Sequence, residues 1–427
     1  MLKAIHQVYF SRKVIKIKIL TLESGFPPEL ASGRLPFEFA RQLAKRGHNV
    51  MVVTIFPRKY LLDKEIKIAR WKFFYRERMD GFDIIRFRPQ FSSNSLIARM
   101  LEYVLIPVSL FIGGLVFARK SMVLHCTIPP LFIGFSTCLI GRLLETSVIV
   151  RVQDVHPDAL VKLGLLRNRL LIKILEFMEK FIYLCADRLT VIGETYRKHI
   201  ISKGAYPDKV MLIPNWADTT KIPSLDNSSK SLNDIGPEKK FTITYAGTMS
   251  WPQDLETVVE AANILRKYED IVFLLVGDGV KKRVLIKRSK ALGLSNIRFL
   301  PLQSREKYFE ILKASNACLV SLRKAFESPS VPSKMLDIMA CGKPVIANVP
   351  IGGDVSEILK KAKCGLAIEP ENPHLLAKAI LMLLDDDALA EELGKNGRKY
   401  LDKHFSISTC IDRYEQIMTN LINKVQL

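Results

Sequence analysis

The sequence lacks paired cysteines. Seven are present, at 126, 138, 185, 318, 341, 364 and 410, and none stands in Cys-x-x-Cys spacing. That speaks against a zinc site and a disulfide framework, and fits a reducing compartment. A Gly-x-Gly-x-x-Gly after the first strand is also missing, so no dinucleotide fingerprint is present. No secretory signal is expected, because the start is basic and leads into a strand-like Ile15–Thr21. Two uncharged apolar runs, Tyr103–Ala118 and Cys126–Gly141, are 16 residues each, short of the ~20 that a spanning helix requires. The first contains Pro107 and Gly113-Gly114, and the second Pro129-Pro130 and Ser136-Thr137. Contact with one face of a membrane is therefore expected rather than a transmembrane hairpin. Acidic residues are scarce: 43 against 64 lysines and arginines, a formal charge of +21. Such a balance points to an anionic partner, whether nucleic acid, an anionic membrane or a phosphorylated ligand.

What is present describes a folded protein of two ordinary domains: 427 residues, 48% hydrophobic and 25% charged. The first is read over 1–222. A strand to Leu22, the loop Glu23–Arg34, a helix to about Arg46 and a strand at Asn49–Thr54 form a βαβ unit, the signature of a doubly wound parallel sheet. In such sheets ligands bind beyond the carboxyl ends of the strands. Residues 57–118 mix basic and aromatic side chains (Arg58, Lys59, Tyr60, Trp71, Arg86, Phe87) with the apolar stretch Leu96–Ala118, a composition suited to an anionic bilayer surface. Strands are expected at Met122–Thr127 and Ser147–Val152, and a helix at Leu165–Cys185. Asp154, His156 and Asp158 cluster after the second of these strands, where acid or base chemistry is expected. His125 stands at another expected strand end. Residues 223–240 are polar and turn-rich and read as a linker. The second domain, 241–405, repeats the strand–helix alternation, and a helix over 406–427 is long enough to cross back to the first.

The most informative stretch is Val331-Pro-Ser-Lys-Met-Leu-Asp-Ile-Met-Ala-Cys-Gly-Lys-Pro-Val-Ile-Ala347. Ser333 reads as an N-cap, Lys334–Cys341 as a helix, and Val345–Ala347 as a strand. A lysine in the first turn opposes the helix dipole. An anion on the N-terminus would resolve that conflict, with the Ser333 hydroxyl and the Lys334 ammonium converging on it. Asp337, three residues on and on the same face, is placed to accept hydrogen bonds from a ribose diol. Gly277-Asp-Gly279 follows a strand and precedes Lys281 and Lys282 at a helix start, a second place where a phosphate could approach backbone.

Taken in order, Phe26-Pro-Pro-Glu29, Arg46-Gly-His48, Val123-Leu-His-Cys-Thr-Ile-Pro-Pro130, Gln153-Asp-Val-His-Pro-Asp158, Ile213-Pro-Asn-Trp-Ala-Asp218, Tyr245-Ala-Gly247, Gly277-Asp-Gly279, Arg298-Phe-Leu300 and Pro332–Pro344 give the chain its resemblance. It resembles family 4 glycosyltransferases of the GT-B fold, two Rossmann-like α/β domains facing a cleft, in the branch that assembles bacterial O-antigen, capsule and exopolysaccharide. The resemblance implies a retaining transfer without metal or other cofactor, from a UDP-linked sugar to a lipid-linked or polysaccharide-precursor acceptor. It implies an enzyme at the cytoplasmic face of the plasma membrane. By carry-over Lys282 and Lys334 hold the diphosphate, Ser333 assists, Asp337 holds the ribose, and the base stacks near Gly277 and Leu300–Leu302. Gly33 lets the first loop close, and Gly247, Thr248 and Gly279 complete the donor side. Asp154, with His156, Asp158 and His125, serves the acceptor side. The family's paired glutamates are Pro329 and Asp337 here, with Glu327 nearby. The usual basic pair is absent from Thr248–Gln253, and His156 replaces the branch's Trp. The rival readings are an epimerase of the same fold, a basic nucleic-acid-binding protein and an inactive lipid-surface scaffold. The nucleic-acid reading leaves Ser333, Lys334 and Asp337 without a task, so no nucleic-acid partner is expected.

Overall fold

The computed structural model describes residues 16–27, 33–56, 74–87, 96–162, 164, 166–219, 240–324 and 331–425. The linker up to residue 239, together with Pro329 and Glu327, lies outside them, as do 57–73 and 88–95 of the basic and aromatic region. The chain divides into two compact units. One comprises Met1–Val191, Arg197–Ile213 and Ile411–Leu427, the other Ile192–Tyr196 and Pro214–Cys410.

The first unit is built on β1 (Lys18–Leu22), β2 (Asn49–Ile55), β3 (Phe74–Met79), β4 (Phe82–Phe87), β5 (Met122–Ile128), β6 (Ser147–Val152), β7 (Arg188–Val191) and β8 (Val210–Leu212). They lie in the order β3-β4-β2-β1-β5-β6-β7-β8, all parallel except β3, which runs antiparallel to β4. That hairpin, inside the stretch read only for its composition, has a sequence signal that was passed over. Asp80 and Gly81 take φ of 47° and 89°, the two positive values a tight two-residue hairpin turn requires. The helices are α1 (Arg34–Lys45), α2 (Leu96–Phe117), α3 (Leu131–Leu144), α4 (Asp158–Lys162), α5 (Arg169–Cys185) and α6 (Glu194–Ser202).

The apolar run Cys126–Gly141 is not one segment. It finishes β5, turns at Pro129-Pro130 and becomes α3, whose Ile133, Cys138 and Ile140 are core. Gly113 and Gly114 of α2 are contact points. A methyl group there would come within 2.5 Å of Phe87 and 2.4 Å of Ile140, so the helix lies close on sheet and neighbour. Among the described residues no helix is long and apolar enough to cross a membrane. The helix expected over Leu165–Cys185 is α5 and starts later, at Arg169, because Asn168 caps it: its side chain accepts the N–H groups of Leu170 and Leu171.

The second unit carries β9 (Phe241–Ala246), β10 (Ile271–Val276), β11 (Ile297–Leu300), β12 (Ala317–Ser321), β13 (Val345–Asn348) and β14 (Gly365–Ile368). Their order is β11-β10-β9-β12-β13-β14, parallel throughout. Alternate residues of each central strand enter separate cores. Phe273 and Leu275 face one layer, Leu274 and Val276 the other, as expected for a parallel sheet covered on both faces. The covering helices are α7 (Leu255–Ile264), α8 (Lys282–Ala291), α9 (Arg305–Ala314), α10 (Ser333–Ala340), α11 (Asp354–Ala362), α12 (Pro373–Asp385) and α13 (Asp387–His404). Strand order reverses between β1 and β5 in one sheet and between β9 and β12 in the other. Such reversals open a crevice at the carboxyl ends of the strands.

The last helix, α14 (Ile407–Val425), joins the first unit from Ile411 onward. Tyr414 is fully buried, 4.9 Å from the ring of Phe39, with its hydroxyl 2.9 Å from Thr190. His48 meets Glu415 at 2.7 Å and Arg46 meets Asp412 at 2.6 Å, so Arg46-Gly-His48 is a docking point for this helix. Tyr414→Ala is expected to cost the first unit about 3–5 kcal/mol, the range for emptying a buried aromatic site. The measurement is its urea midpoint; a loss under 1 kcal/mol would show that the helix contributes little there.

Candidate active site

In the second unit the expected donor-side residues gather beyond the ends of β9, β10 and β11 and at the start of α10. Met335, Leu336, Ile338 and Met339 are buried in one apolar layer, which fixes α10. The helix begins one residue earlier than expected. Pro332 is the N-cap in extended conformation, and Ser333 is the first helical residue, exposed and making no side-chain cap bond. Proline's fixed φ performs the entry that was assigned to the Ser333 hydroxyl.

Lys334 turns back over the end of β9. Its Nζ donates to the Tyr245 hydroxyl at 2.9 Å and lies 4.4 Å from that ring's centre. Tyr245, buried, donates in turn to the Thr248 carbonyl at 2.6 Å. Among the described residues no carboxylate pairs with Lys334. Burial alone pushes the ammonium down to about 8 from 10.5. A cation desolvated this far is ordinarily paired. Here it stands beside the positive end of a helix instead.

Asp337 is buried on the same helix but faces α9. Arg305 grips it with two hydrogen bonds of 3.0 and 3.1 Å, and the Tyr308 hydroxyl donates at 3.2 Å. Burial, then the Asp337 charge, hold Tyr308 well above the ordinary phenol range. A ribose would share this carboxylate with Arg305, whose guanidinium also lies 4.4 Å over the Phe309 ring. Lys282 donates to the Gly277 and Leu300 carbonyls at 2.7 and 2.9 Å, stitching together the ends of β10 and β11. Lys281, almost buried, pairs with Glu256 and sits 4.0 Å over the exposed Trp251. Leu302 is exposed just beyond β11.

The two glycines of Gly277-Asp-Gly279 have φ of 141° and 150°. A Cβ on Gly277 would lie 2.0 Å from the Gly247 carbonyl oxygen, and one on Gly279 2.3 Å from that of Met249. What approaches their backbone is therefore the neighbouring loop, bonded through Gly247 N to Val276 O and Met249 N to Asp278 O at 2.9 and 2.8 Å. Gly247 itself leaves room for Lys334, whose Nζ would be 3.4 Å from an added Cβ.

In the first unit the expected acceptor-side residues separate. Asp154 and His156 stay together past β6, Nε2 to Oδ2 at 3.8 Å, both partly exposed; burial lowers the imidazole's pKa. Asp158 opens α4 and is taken by Lys203 at 2.6 Å and His199 at 3.1 Å. His125 lies inside β5 rather than at its end, since pairing with β6 continues to Ile128. It is buried, stacked 4.4 Å from Phe39, with Nδ1 2.9 Å from Thr21 Oγ1. Burial lowers its pKa, and Nε2 meets no hydrogen-bond partner. The sequence reading missed Glu23, buried at the end of β1, which accepts from Thr21 at 2.8 Å and Thr127 at 3.1 Å. It also missed Tyr245, Arg305 and Tyr308, whose roles exist only once the strands are side by side. Gly33 is the N-cap of α1; residues 28–32 before it lie outside the described residues.

Comparison with known proteins identifies the family and the fold. A family model for group 1 glycosyl transferases matches residues 229–400, and one for a glycosyl transferase 4-like domain matches 36–216. The chain belongs to these glycosyltransferases and has the GT-B fold. It is 26% identical over 402 residues to the putative colanic acid biosynthesis glycosyl transferase WcaI of Escherichia coli K12, covering 91% of this chain and 97% of the relative. The probable glycosyltransferase WbjE of Pseudomonas aeruginosa is 25% identical over 79% of this chain and 84% of its own. Among solved structures, Anabaena HepE in complex with UDP superposes with a TM-score of 0.72 at 14% identity, covering 95% of this chain and all of that one. WaaG, a glycosyltransferase involved in lipopolysaccharide biosynthesis, gives 0.65 at 16%, covering 94% and 99%.

Proposed function

We propose that this glycosyltransferase moves a sugar, with retention and without a metal, from a UDP-linked donor to a lipid-linked or polysaccharide-precursor acceptor in cell-surface glycan synthesis, working at the inner face of the plasma membrane. The observation that carries the reading is Lys334, an ammonium paired with a phenol rather than a carboxylate at the start of α10. A diphosphate supplies the missing counter-charge. As the bond between sugar and phosphate oxygen breaks, the leaving nucleotide keeps the electron pair, and a fixed cation with first-turn N–H groups stabilises the charge that develops. Asp154, with His156 beside it, is the group assigned to the acceptor hydroxyl. The names of WcaI and WaaG support the pathway, and the UDP complex of HepE supports the donor.

The test is a thermal-shift panel followed by turnover. UDP or a UDP-sugar at a hundred times its Kd should add about 2.7 kcal/mol to the second unit. Sugar should then pass to a membrane-extract acceptor equally well with and without a chelator. Failure of every nucleotide to shift the melting point would overturn the donor site. Isomerised donor formed without acceptor would favour an epimerase.

A further inference from the structure

Helix α5 buries Glu179, Ile182 and Tyr183 on its inner side and is apolar on its outer side as well. A surface helix ordinarily turns polar residues outward opposite such a face. Here the outward positions, spaced as one stripe, are Leu170, Ile174, Phe177 and Leu184, with Leu170 70% and Phe177 65% exposed. The stripe does not end with the helix. α5 packs on α3, and α3 on α2. α2 turns Val108 and Ile112, one turn apart, outward as well. Lys173 and Lys180 border the stripe on α5, and Arg142, also exposed, stands beside Leu143 on α3.

We propose that this outward face of α5, continued onto α2, is the surface by which the protein seats on an anionic phospholipid bilayer. The proposal deepens the membrane location in the reading above and rests on it, and it adds to the α2 part of the 57–118 region a helix, α5, that lies outside that region. Composition decides between a bilayer and a protein partner. Protein interfaces are enriched in aromatic residues, Phe included, and in Met and Arg, and are depleted in Lys, with Leu and Val rare among their anchors; the aliphatic majority and the lysines therefore carry the distinction. This face has aliphatic residues and Phe at its centre and lysines at its border. In that arrangement aliphatic side chains and Phe enter the acyl boundary, while lysine stems lie along it and their ammonium groups reach lipid phosphates. The net charge of +21 favours the same partner.

The test is flotation of the full chain with vesicles of phosphatidylglycerol and phosphatidylethanolamine, and with phosphatidylcholine alone. Binding is expected to the anionic vesicles, at least about tenfold weaker in pure phosphatidylcholine. The paired change Ile174→Glu with Phe177→Glu should lower it by roughly tenfold to a hundredfold, since each removes a large exposed apolar group that the bilayer would bury. Lys173→Glu with Lys180→Glu should abolish the preference for anionic lipid. All four side chains are exposed, so nucleotide-induced thermal shift, read in the same samples, should stay at the wild-type value. That second readout separates failure here from failure of the donor site. Absence of wild-type binding, equal binding by the glutamate variant, or a dimer in solution that the glutamate variant dissociates would each overturn the proposal.

Discussion

Lys334→Met should lower nucleotide affinity and turnover by about a hundredfold to a thousandfold while making the protein more stable. The loss follows from removing the desolvated cation proposed to meet the phosphates, an effect in the range seen when a preorganised charge-stabilising donor is deleted. The gain follows from burial. The ammonium has no carboxylate partner among the described residues, and replacing it by an apolar chain of similar length ends its desolvation cost. A lysine serving only the framework would give the opposite pair of results, lower stability and unchanged affinity. Lys334→Arg should not restore function, because the Tyr245 ring and Gly247 leave space for a point charge and not for a planar fork.

The same lysine sets a pH dependence. Its folded value, about 8, lies below the 10.5 of the unfolded chain. Between those values the unfolded state holds more protons, so stability rises with pH across that window and is flat below it. Nucleotide binding has the opposite slope. A bound diphosphate favours the ammonium, so affinity should fall as pH climbs through 8, with proton uptake on binding near that pH. Calorimetry in two buffers of different ionisation enthalpy would measure the uptake. A buffer-independent heat at pH 8, or the same uptake in the Met variant, would remove Lys334 from the phosphate site.

Gly277→Ala should destabilise the second unit by roughly 3 kcal/mol or more, combining overpacking with a positive φ that alanine disfavours. The new Cβ would stand 2.0 Å from a carbonyl oxygen of the adjacent loop, and backbone cannot step aside as a flexible side chain can. That loop carries Gly247 and Thr248, where the Tyr245–Lys334 pair is anchored, so nucleotide affinity should fall along with stability. The readouts are the urea midpoint and the UDP-induced shift; a variant within 0.5 kcal/mol of wild type would refute the close approach.

These two positions also mark where the sequence was a good guide and where it was not. The glycines of Gly277-Asp-Gly279 were identifiable as a tight approach, yet a ligand was expected where the structure has another strand's loop. Asp337 was read as open to a ribose diol, whereas the structure has Arg305 gripping it, a pairing of residues 32 apart in the chain. Asp158 and His125 had the right residue types for acid and base chemistry, and the fold employs one in an ion cluster and stacks the other in the core. The hairpin at Phe74–Phe87 is legible in the turn residues Asp80-Gly81, which the basic and aromatic composition around them does not reveal.

By itself the sequence determined whatever depends on neighbours along the chain: the strand–helix alternation, the glycine and proline stops, the place of a lysine in a first helical turn, and through them a two-sheet α/β transferase. The tertiary structure alone decided which charges meet. Whether a carboxylate is spent on an arginine, or an ammonium meets a phenol, depends on strands far apart in sequence lying about 5 Å apart in a sheet. No local pattern encodes that distance.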